Sequence, residues 1–141
     1  MAQERLEIRD DPSDAELRFV EERVDEFNVA ATGLRDGRRL AVFLRDATGA
    51  LRAGLTGHTW GGCCEVRFLW VREAERGRGL GRALLGAAEG EAAARGCDRV
   101  VLSSHSFQAP DFYRNQGYTI VGQADGYPSG HRQVYLQKLL R

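Results

Sequence analysis

Arg76-Gly77-Arg78-Gly79-Leu80-Gly81 is a glycine-rich stretch that follows a strand-like apolar run and precedes a helix-like one. A helix that begins directly after a strand leaves its first backbone amides without partners, and the positive end of its dipole attracts an anion. Glycines let the backbone approach an anion closely, and Arg76, Arg78 and Arg82 add positive charge. The stretch therefore predicts a site for a di- or polyphosphate.

Three phosphate-binding patterns are distinguished by their spacing. The phosphate loop of nucleotide hydrolases ends in Gly-Lys-Ser/Thr, whereas Arg-Ala follows the last glycine here. A dinucleotide fingerprint that starts at Gly77 needs a third glycine where Arg82 stands, and this loop lies mid-chain. The pattern that fits is Arg/Gln-x-x-Gly-x-Gly/Ala, through Arg76, Gly79 and Gly81. A glycine-rich turn that only starts a helix is the alternative interpretation.

Upstream of this loop, the pattern predicts a strand, a helix and an antiparallel meander. Leu6 and Ile8 are assigned to a short first strand, and Ser13 begins a helix through a capping box with Glu16. Strand-like alternation runs through residues 39–71, and we expect the odd-numbered and even-numbered residues of 64–71 to lie on opposite faces unless a bulge intervenes. The helix carries four apolar residues at helical spacing: Leu17, Val20, Val24 and Phe27.

Downstream of the loop, strand, loop, helix and strand form a βαβ crossover, so its two strands are predicted to be parallel. The second of these strands is assigned to residues 99–103, a short helix to 106–113, and two further strands to 117–121 and 133–140. The helix after the loop is expected to direct five residues toward the core: Leu80, Leu84, Ala87, Ala88 and Ala92. The prediction is a single α/β domain over residues 1–141.

Composition excludes several classes of protein. The chain has 20 basic and 20 acidic residues, so its formal net charge of zero gives no indication of nucleic-acid binding or of a basic membrane anchor. No apolar run approaches the ~20 residues of a membrane span, and the first residues lack the apolar core of a signal peptide, so we expect a cytoplasmic protein. Three cysteines without a Cys-x-x-Cys pair predict no metal site.

A second motif follows about 30 residues after the glycine loop. Ala109, Phe112 and Tyr113, followed by Gly117 and Tyr118, match the pattern Asn-x-x-Ala-x-x-Phe-Tyr and its downstream glycine and aromatic residue, and Ser106 replaces the asparagine. The two motifs together resemble those of the GNAT superfamily of N-acetyltransferases over essentially the whole chain. The resemblance implies an α/β (α+β) fold with a mixed, mostly antiparallel central sheet, a βαβ crossover and flanking helices.

The resemblance also implies an activity, which is direct transfer of an acetyl group from acetyl-CoA to a primary amine in a ternary complex. The acceptor is a small-molecule or peptide amine, and the resemblance allows a homodimer. The alternative is a regulatory or structural protein that binds acyl-CoA without turnover. The residues that the resemblance assigns to the cofactor are Trp70, Val71, Arg76, Gly77, Arg78, Gly79, Leu80, Gly81, Arg82 and Ser106.

The resemblance implies one catalytic role, and residue type and position along the chain indicate the other candidates. Tyr113 matches the family position whose phenol donates a proton to the departing thiolate, although helical spacing alone favours a core aromatic residue. Glu65 is the candidate base, and pairing with Arg67 is the alternative interpretation. His58, His105 and His131 are further titratable candidates. Residues that we expect near the acceptor are Trp60, Tyr127 and Asn28.

Overall fold

A computed structural model describes residues 3–141, and two compact units divide between Arg35 and Asp36. The first unit contains one helix, α1 (Asp14–Thr32). Its capping box is confirmed, because the Ser13 hydroxyl accepts the Glu16 amide at 3.1 Å and the Glu16 carboxylate accepts the Ser13 amide at 3.0 Å. No residue of α1 is buried, so the apolar spacing predicted the helix without predicting burial.

The strand predicted at Leu6 and Ile8 is wrong. Both residues lie in a segment without secondary structure, and their side chains are 88% and 97% exposed. A strand is held by backbone hydrogen bonds to a neighbouring strand, and none of the strands in the described residues pairs with this segment. Apolar alternation over a few residues is therefore insufficient here.

The second unit is built on one six-stranded sheet. Its strand order is β1-β2-β3-β4-β6-β5, and every neighbouring pair is antiparallel except β3 and β4, which are parallel. The predicted meander and the parallel crossover are therefore confirmed. The strands are β1 (Arg38–Arg45), β2 (Leu51–Trp60), β3 (Cys63–Val71), β4 (Arg99–His105), β5 (Thr119–Tyr127) and β6 (His131–Leu139).

Two α-helices accompany this sheet. A 3₁₀ turn (Glu73–Glu75) leads from β3 into the glycine loop, and α2 (Leu80–Ala94) follows the loop. The second helix of this unit, α3 (Pro110–Asn115), begins later than the predicted residue 106, at the proline whose fixed φ suits the first helical position. Within residues 3–141, no helix has the length and apolar character needed to cross a membrane.

The hydrophobic core lies where α2 packs on one face of β1, β2 and β3. The residues of α2 that are buried differ in part from those predicted, because Leu85 is buried whereas Ala87 is exposed and Leu80 is only half-buried. Alternate residues of β4 and β6 face the same core. The fully buried side chains of largest volume are Leu55, Cys64, Leu85, Val100, Val134 and Leu136.

Candidate active site

A groove opens where β3 and β4 separate. Their parallel pairing covers only Cys63–Glu65 of β3 and Arg99–Val101 of β4, and beyond it each strand pairs only with its other neighbour. The groove has a volume of about 960 Å³ and is lined by both strands, by the glycine loop and by α3. This volume lies at the upper end of the range for small-molecule and cofactor sites.

The glycine loop forms one end of the groove. Gly77 and Gly79 both have φ of 81°, a left-handed conformation that strains residues with a Cβ atom. Gly79 is the N-cap of α2 and provides no side-chain acceptor, so the first amides of the helix face the groove without a capping partner. Arg76, Gly77, Gly79, Leu80, Gly81 and Arg82 all line this end. It is a suitable site for a pyrophosphate.

A buried carboxylate, that of Glu75, anchors the start of the glycine loop. The sequence interpretation did not identify it. Glu75 is 9% exposed, and its Oε1 accepts hydrogen bonds from Arg52 Nε at 2.8 Å and from Arg52 Nη2. Arg72 Nη1 lies 3.7 Å from Glu75 Oε2, and Arg72 Nη2 lies 3.2 Å from Asp46 Oδ2. The hydrogen bonds from Arg52 lower the pKa of Glu75, so the carboxylate is charged at neutral pH.

A β-bulge at Arg67 changes the faces of β3. Gly57 of β2 pairs with Val66, whereas Thr56 pairs with Phe68, so Arg67 has no partner across the strand. Cys64 and Val66 therefore share the core face with Leu69 and Val71, while Phe68 and Trp70 lie on the opposite face with Glu65. The predicted alternation of faces along β3 is therefore interrupted at Arg67. The cause is a β-bulge, which the sequence analysis had allowed for.

Gly57 makes this bulge sterically feasible. A Cβ atom built at Gly57 would lie 2.2 Å from the carbonyl oxygen of Glu65, which is closer than real Cβ contacts. The backbones of β2 and β3 therefore approach each other closely at this point. The glycine is thus required by close approach and not by its own φ.

Tyr113 lies where the sequence placed it, on α3 and in the lining of the groove. Its ring contacts Phe112 and Tyr118 edge-on, with ring centroids 5.1 and 5.9 Å away. Burial raises the pKa of the Tyr113 phenol, because it disfavours the charged phenolate. The phenol therefore keeps its proton at neutral pH, as a proton donor must.

Glu65 lies outside the lining of the groove. It is on the face of the sheet opposite α2, its side chain is 56% exposed, and its Oε1 is 3.3 Å from Arg67 Nε. The alternative interpretation, pairing with Arg67, is therefore present in the structure. His58 is the cross-strand neighbour of Glu65 on β2.

The residues expected to bind the cofactor divide into two groups. Trp70 and Val71 line the groove together with the loop residues named above, whereas Arg78 and Ser106 do not. The Ser106 hydroxyl accepts the Arg132 amide at 3.0 Å and lies 3.0 Å from His131 Nδ1, so it joins the chain after β4 to the start of β6.

The other end of the groove has polar and aromatic side chains. Ser103 and His105 of β4 and Gln133 of β6 line it, together with Phe107. Tyr127 is close by, because its hydroxyl donates to Gln133 Oε1 at 2.8 Å. The sequence interpretation missed Ser103 and Gln133. The only feature of the sequence that could have indicated them is that they lie on strands next to the second motif.

Trp60 and Asn28, the other residues considered for the acceptor, are not among the lining residues of the groove. Trp60 lies at the end of β2, and Asn28 lies on α1 in the first unit. Among residues 3–141, no group of three or more His, Cys, Asp or Glu side chains is arranged to hold a metal ion.

The mixed sheet separates between two parallel strands, with the uncapped N-terminus of α2 at one end of the opening and the buried Tyr113 inside it. This arrangement suits an acyl-coenzyme A-dependent transferase. Residues 5–118 match the model of the Acetyltransferase (GNAT) family. The chain belongs to this family, and the resemblance found in the sequence is confirmed. It is therefore an acetyltransferase that uses acetyl-CoA as co-substrate.

Individual relatives agree with this assignment. The chain is 33% identical over 132 residues to Acetyltransferase Atu2258 of Agrobacterium fabrum, covering 93% of this chain and 96% of the relative. It is 36% identical over 113 residues to blasticidin-S acetyltransferase of Streptomyces morookaense, covering 77% and 83%. A crystal structure of a proposed acetyltransferase from Agrobacterium tumefaciens superimposes with a TM-score of 0.86 at 29% identity, covering 97% and 100%.

Proposed function

We propose that the chain transfers the acetyl group of acetyl-CoA directly to a primary amine of a small molecule, in a ternary complex. The observation that carries this proposal is the groove between β3 and β4, which holds an anion site at one end, Tyr113 within it and room for an acceptor at the other end. The relative from Streptomyces morookaense is named for its acetylation of blasticidin S, which supports a small-molecule acceptor.

In this mechanism, the amine nitrogen attacks the carbonyl carbon of the thioester, and the carbon–sulfur bond breaks. Tyr113 donates its proton to the departing thiolate, and the proton of the amine leaves through water to Glu65 or to solvent. Backbone groups of Trp70 and Val71 hold the pantetheine arm and polarise the thioester carbonyl. Holding both reactants in one groove supplies the proximity that direct transfer needs.

The anion end binds the cofactor by its pyrophosphate. The amides that open α2 and the side chains of Arg76 and Arg82 supply hydrogen bonds and positive charge. Gly77, Gly79, Leu80 and Gly81 contribute backbone, and Arg78 contributes long-range charge from outside the lining. The Ser106 hydroxyl is engaged with His131 and Arg132, so Ser106 acts on the cofactor arm through the loop that it fixes.

Calorimetric titration with acetyl-CoA, with NAD and ATP as controls, tests the cofactor, and CoA release with a panel of primary amines tests turnover. We expect Tyr113→Phe to lower kcat by about 10²-fold, which is the usual contribution of a general acid, and to leave the Kd of acetyl-CoA unchanged. Tyr118→Phe is the matched control, because its buried hydroxyl donates to Glu89 at 3.0 Å instead.

Two outcomes would contradict the proposal. Binding of acetyl-CoA without CoA release for any amine would support a regulatory or structural acyl-CoA-binding protein. A Tyr113→Phe variant with full turnover at every pH would remove Tyr113 from the mechanism and leave acetyl transfer itself in place.

A further inference from the structure

The end of the groove away from the glycine loop has a polar floor made by two antiparallel strands. His105 of β4 is the direct cross-strand partner of Gln133 of β6, and Ser103 precedes His105 by two residues. These three side chains share one face of the sheet, because their neighbours Leu102, Ser104, Val134 and Leu136 are buried on the other.

A chain of hydrogen bonds orients this floor. The Tyr127 hydroxyl donates to Gln133 Oε1 at 2.8 Å, and Gln133 Nε2 donates to Ser103 Oγ at 2.9 Å. The Gln133 amide therefore keeps one N–H and one lone pair for another partner, and the Ser103 hydroxyl keeps its own proton to donate. The floor offers donors and an acceptor together and includes no Asp, Glu, Lys or Arg side chain.

Aromatic rings form a wall beside the floor. Phe107 stacks on His105 with ring centroids 5.1 Å apart and an interplanar angle of 4°, and Tyr127 meets His105 edge-on at 4.8 Å. His105 Nδ1 is buried without a hydrogen-bond partner among the described residues. The Phe107 ring is 59% exposed and lines the groove.

Charge is distributed unevenly along the groove. The described residues that line it include no Asp or Glu and three arginines. Arg76 and Arg82 belong to the glycine-loop end, and Arg67 is paired with Glu65. A second positive charge on the acceptor would thus find no carboxylate in the groove lining, and a negative charge at the floor would find no unpaired cation beside it.

We propose that this floor and wall are the acceptor subsite, and that they select an amine whose neighbouring substituent is a planar, uncharged amide. The proposal rests on the proposed function, since it names the class of amine that the same groove takes. An amide has both a donor and an acceptor for Gln133 and Ser103, and its flat faces suit an aromatic wall. A carboxylate has acceptors only, and an ammonium has donors only.

Three matched acceptors test this selection: glycinamide, glycine and ethylenediamine. In each, the polar atoms that differ lie three bonds from the reacting amine nitrogen, so initial rates of CoA release compare an amide, a carboxylate and an ammonium. Rates are corrected for the unprotonated fraction of each amine. We expect kcat/KM for glycinamide to exceed those for the other two by about 10-fold or more, since the charged competitors leave polar groups unpaired.

Gln133→Glu places a carboxylate at the floor with little change of shape. We expect it to shift the ratio of kcat/KM for ethylenediamine over glycinamide upward by about 10-fold, with an unchanged KM for acetyl-CoA. Gln137→Glu is the matched control, because Gln137 lies on the same strand and face but opposite Val101, where β3 and β4 are still paired. A general effect of surface charge would change both variants equally.

The inference is overturned if glycine or ethylenediamine equals glycinamide, or if the two glutamate variants behave alike. It is also overturned if another primary amine is acetylated while glycinamide is not, and the proposed function then remains. Absence of CoA release with every amine, with acetyl-CoA bound, overturns the proposed function itself.

Discussion

Gly57 is the position at which one added methyl group tests the bulge in β3. In Gly57→Ala, the new Cβ atom would lie 2.2 Å from the Glu65 carbonyl oxygen and 3.2 Å from the Val66 Cα atom. Real Cβ atoms essentially never approach closer than 3.0 Å, so β2 and β3 must move apart by about 0.8 Å, the difference between 3.0 and 2.2 Å. Both obstructing atoms belong to backbone, which cannot turn away as a side chain can.

The energetic cost follows from this displacement. Forcing a methyl group into a packed site costs about 1–3 kcal/mol, and the smaller conformational entropy of unfolded alanine returns about 0.4–1 kcal/mol. The net loss is therefore about 1–2 kcal/mol. For a chain of this size a loss of 1 kcal/mol lowers Tm by about 3–4 °C, so we expect Tm to fall by about 3–8 °C.

Turnover should fall as well. The displaced backbone leads directly into Trp70 and Val71, to which we assign the thioester contacts. Because a misplacement of about 1 Å can cost up to about 10²-fold in rate, we expect kcat to fall by about 10- to 100-fold. The Kd of acetyl-CoA should change less, since the loop to which we assign the pyrophosphate lies beyond the end of β3.

Thermal unfolding and CoA release are measured side by side for Gly57→Ala and Gly54→Ala. Gly54 lies on the same strand, but its added Cβ atom would meet the Phe43 ring at 3.3 Å, and this half-exposed ring is free to move. We expect the Gly54 variant to melt within about 1 °C of the wild type. If both variants have the same Tm and kcat, the bulge does not depend on close approach at Gly57.

Two further predictions concern buried ionisable groups. Glu75→Gln removes the counterion of Arg52, so we expect a loss of about 1–3 kcal/mol and several-fold weaker acetyl-CoA binding at pH 7. Because the folded state lowers the Glu75 pKa from 4.5, this stabilisation is complete above pH 4.5 and is lost as the pH falls through the lowered pKa; the difference in Tm between the two proteins should therefore shrink as the pH is taken below 4.5. An equally stable variant at pH 7 would refute the anchoring role. For Tyr113, burial raises the phenol pKa above 10.0, so kcat should fall only above about pH 10, and Tyr113→Phe should lack that fall; a decline of wild-type kcat between pH 8 and 9 from this group would contradict it.

Features that depend on neighbouring residues in the sequence were predictable. The glycine loop needs positive φ at Gly77 and Gly79 and a helix directly after it, and a few consecutive residues supply both requirements. The capping box at Ser13 and the parallel crossover around the loop are similarly local or follow from the order of elements. Tyr113 was found through its motif, because its spacing alone also suits a core residue.

Features that depend on distant pairing were not predictable in this way. Glu75 resembles a solvated acid beside arginines, and only the fold brings Arg52, 23 residues earlier, onto its carboxylate. Ser103 and Gln133 are 30 residues apart and meet because β6 inserts between β4 and β5, against the order of the chain. The strand predicted at Leu6 is wrong for a related reason. Its residues alternate as in a strand, but no neighbouring strand pairs with them.

The opening between β3 and β4 also explains why a chain with zero net charge suits a highly charged cofactor. Positive charge is concentrated at the start of α2, where Arg76 and Arg82 line the groove, while the other end has polar and aromatic side chains near Gln133 and, among the described residues that line it, no Asp or Glu. In the proposed complex, the phosphates are bound far from the reacting atoms, and that binding energy holds the acetyl group beside the amine.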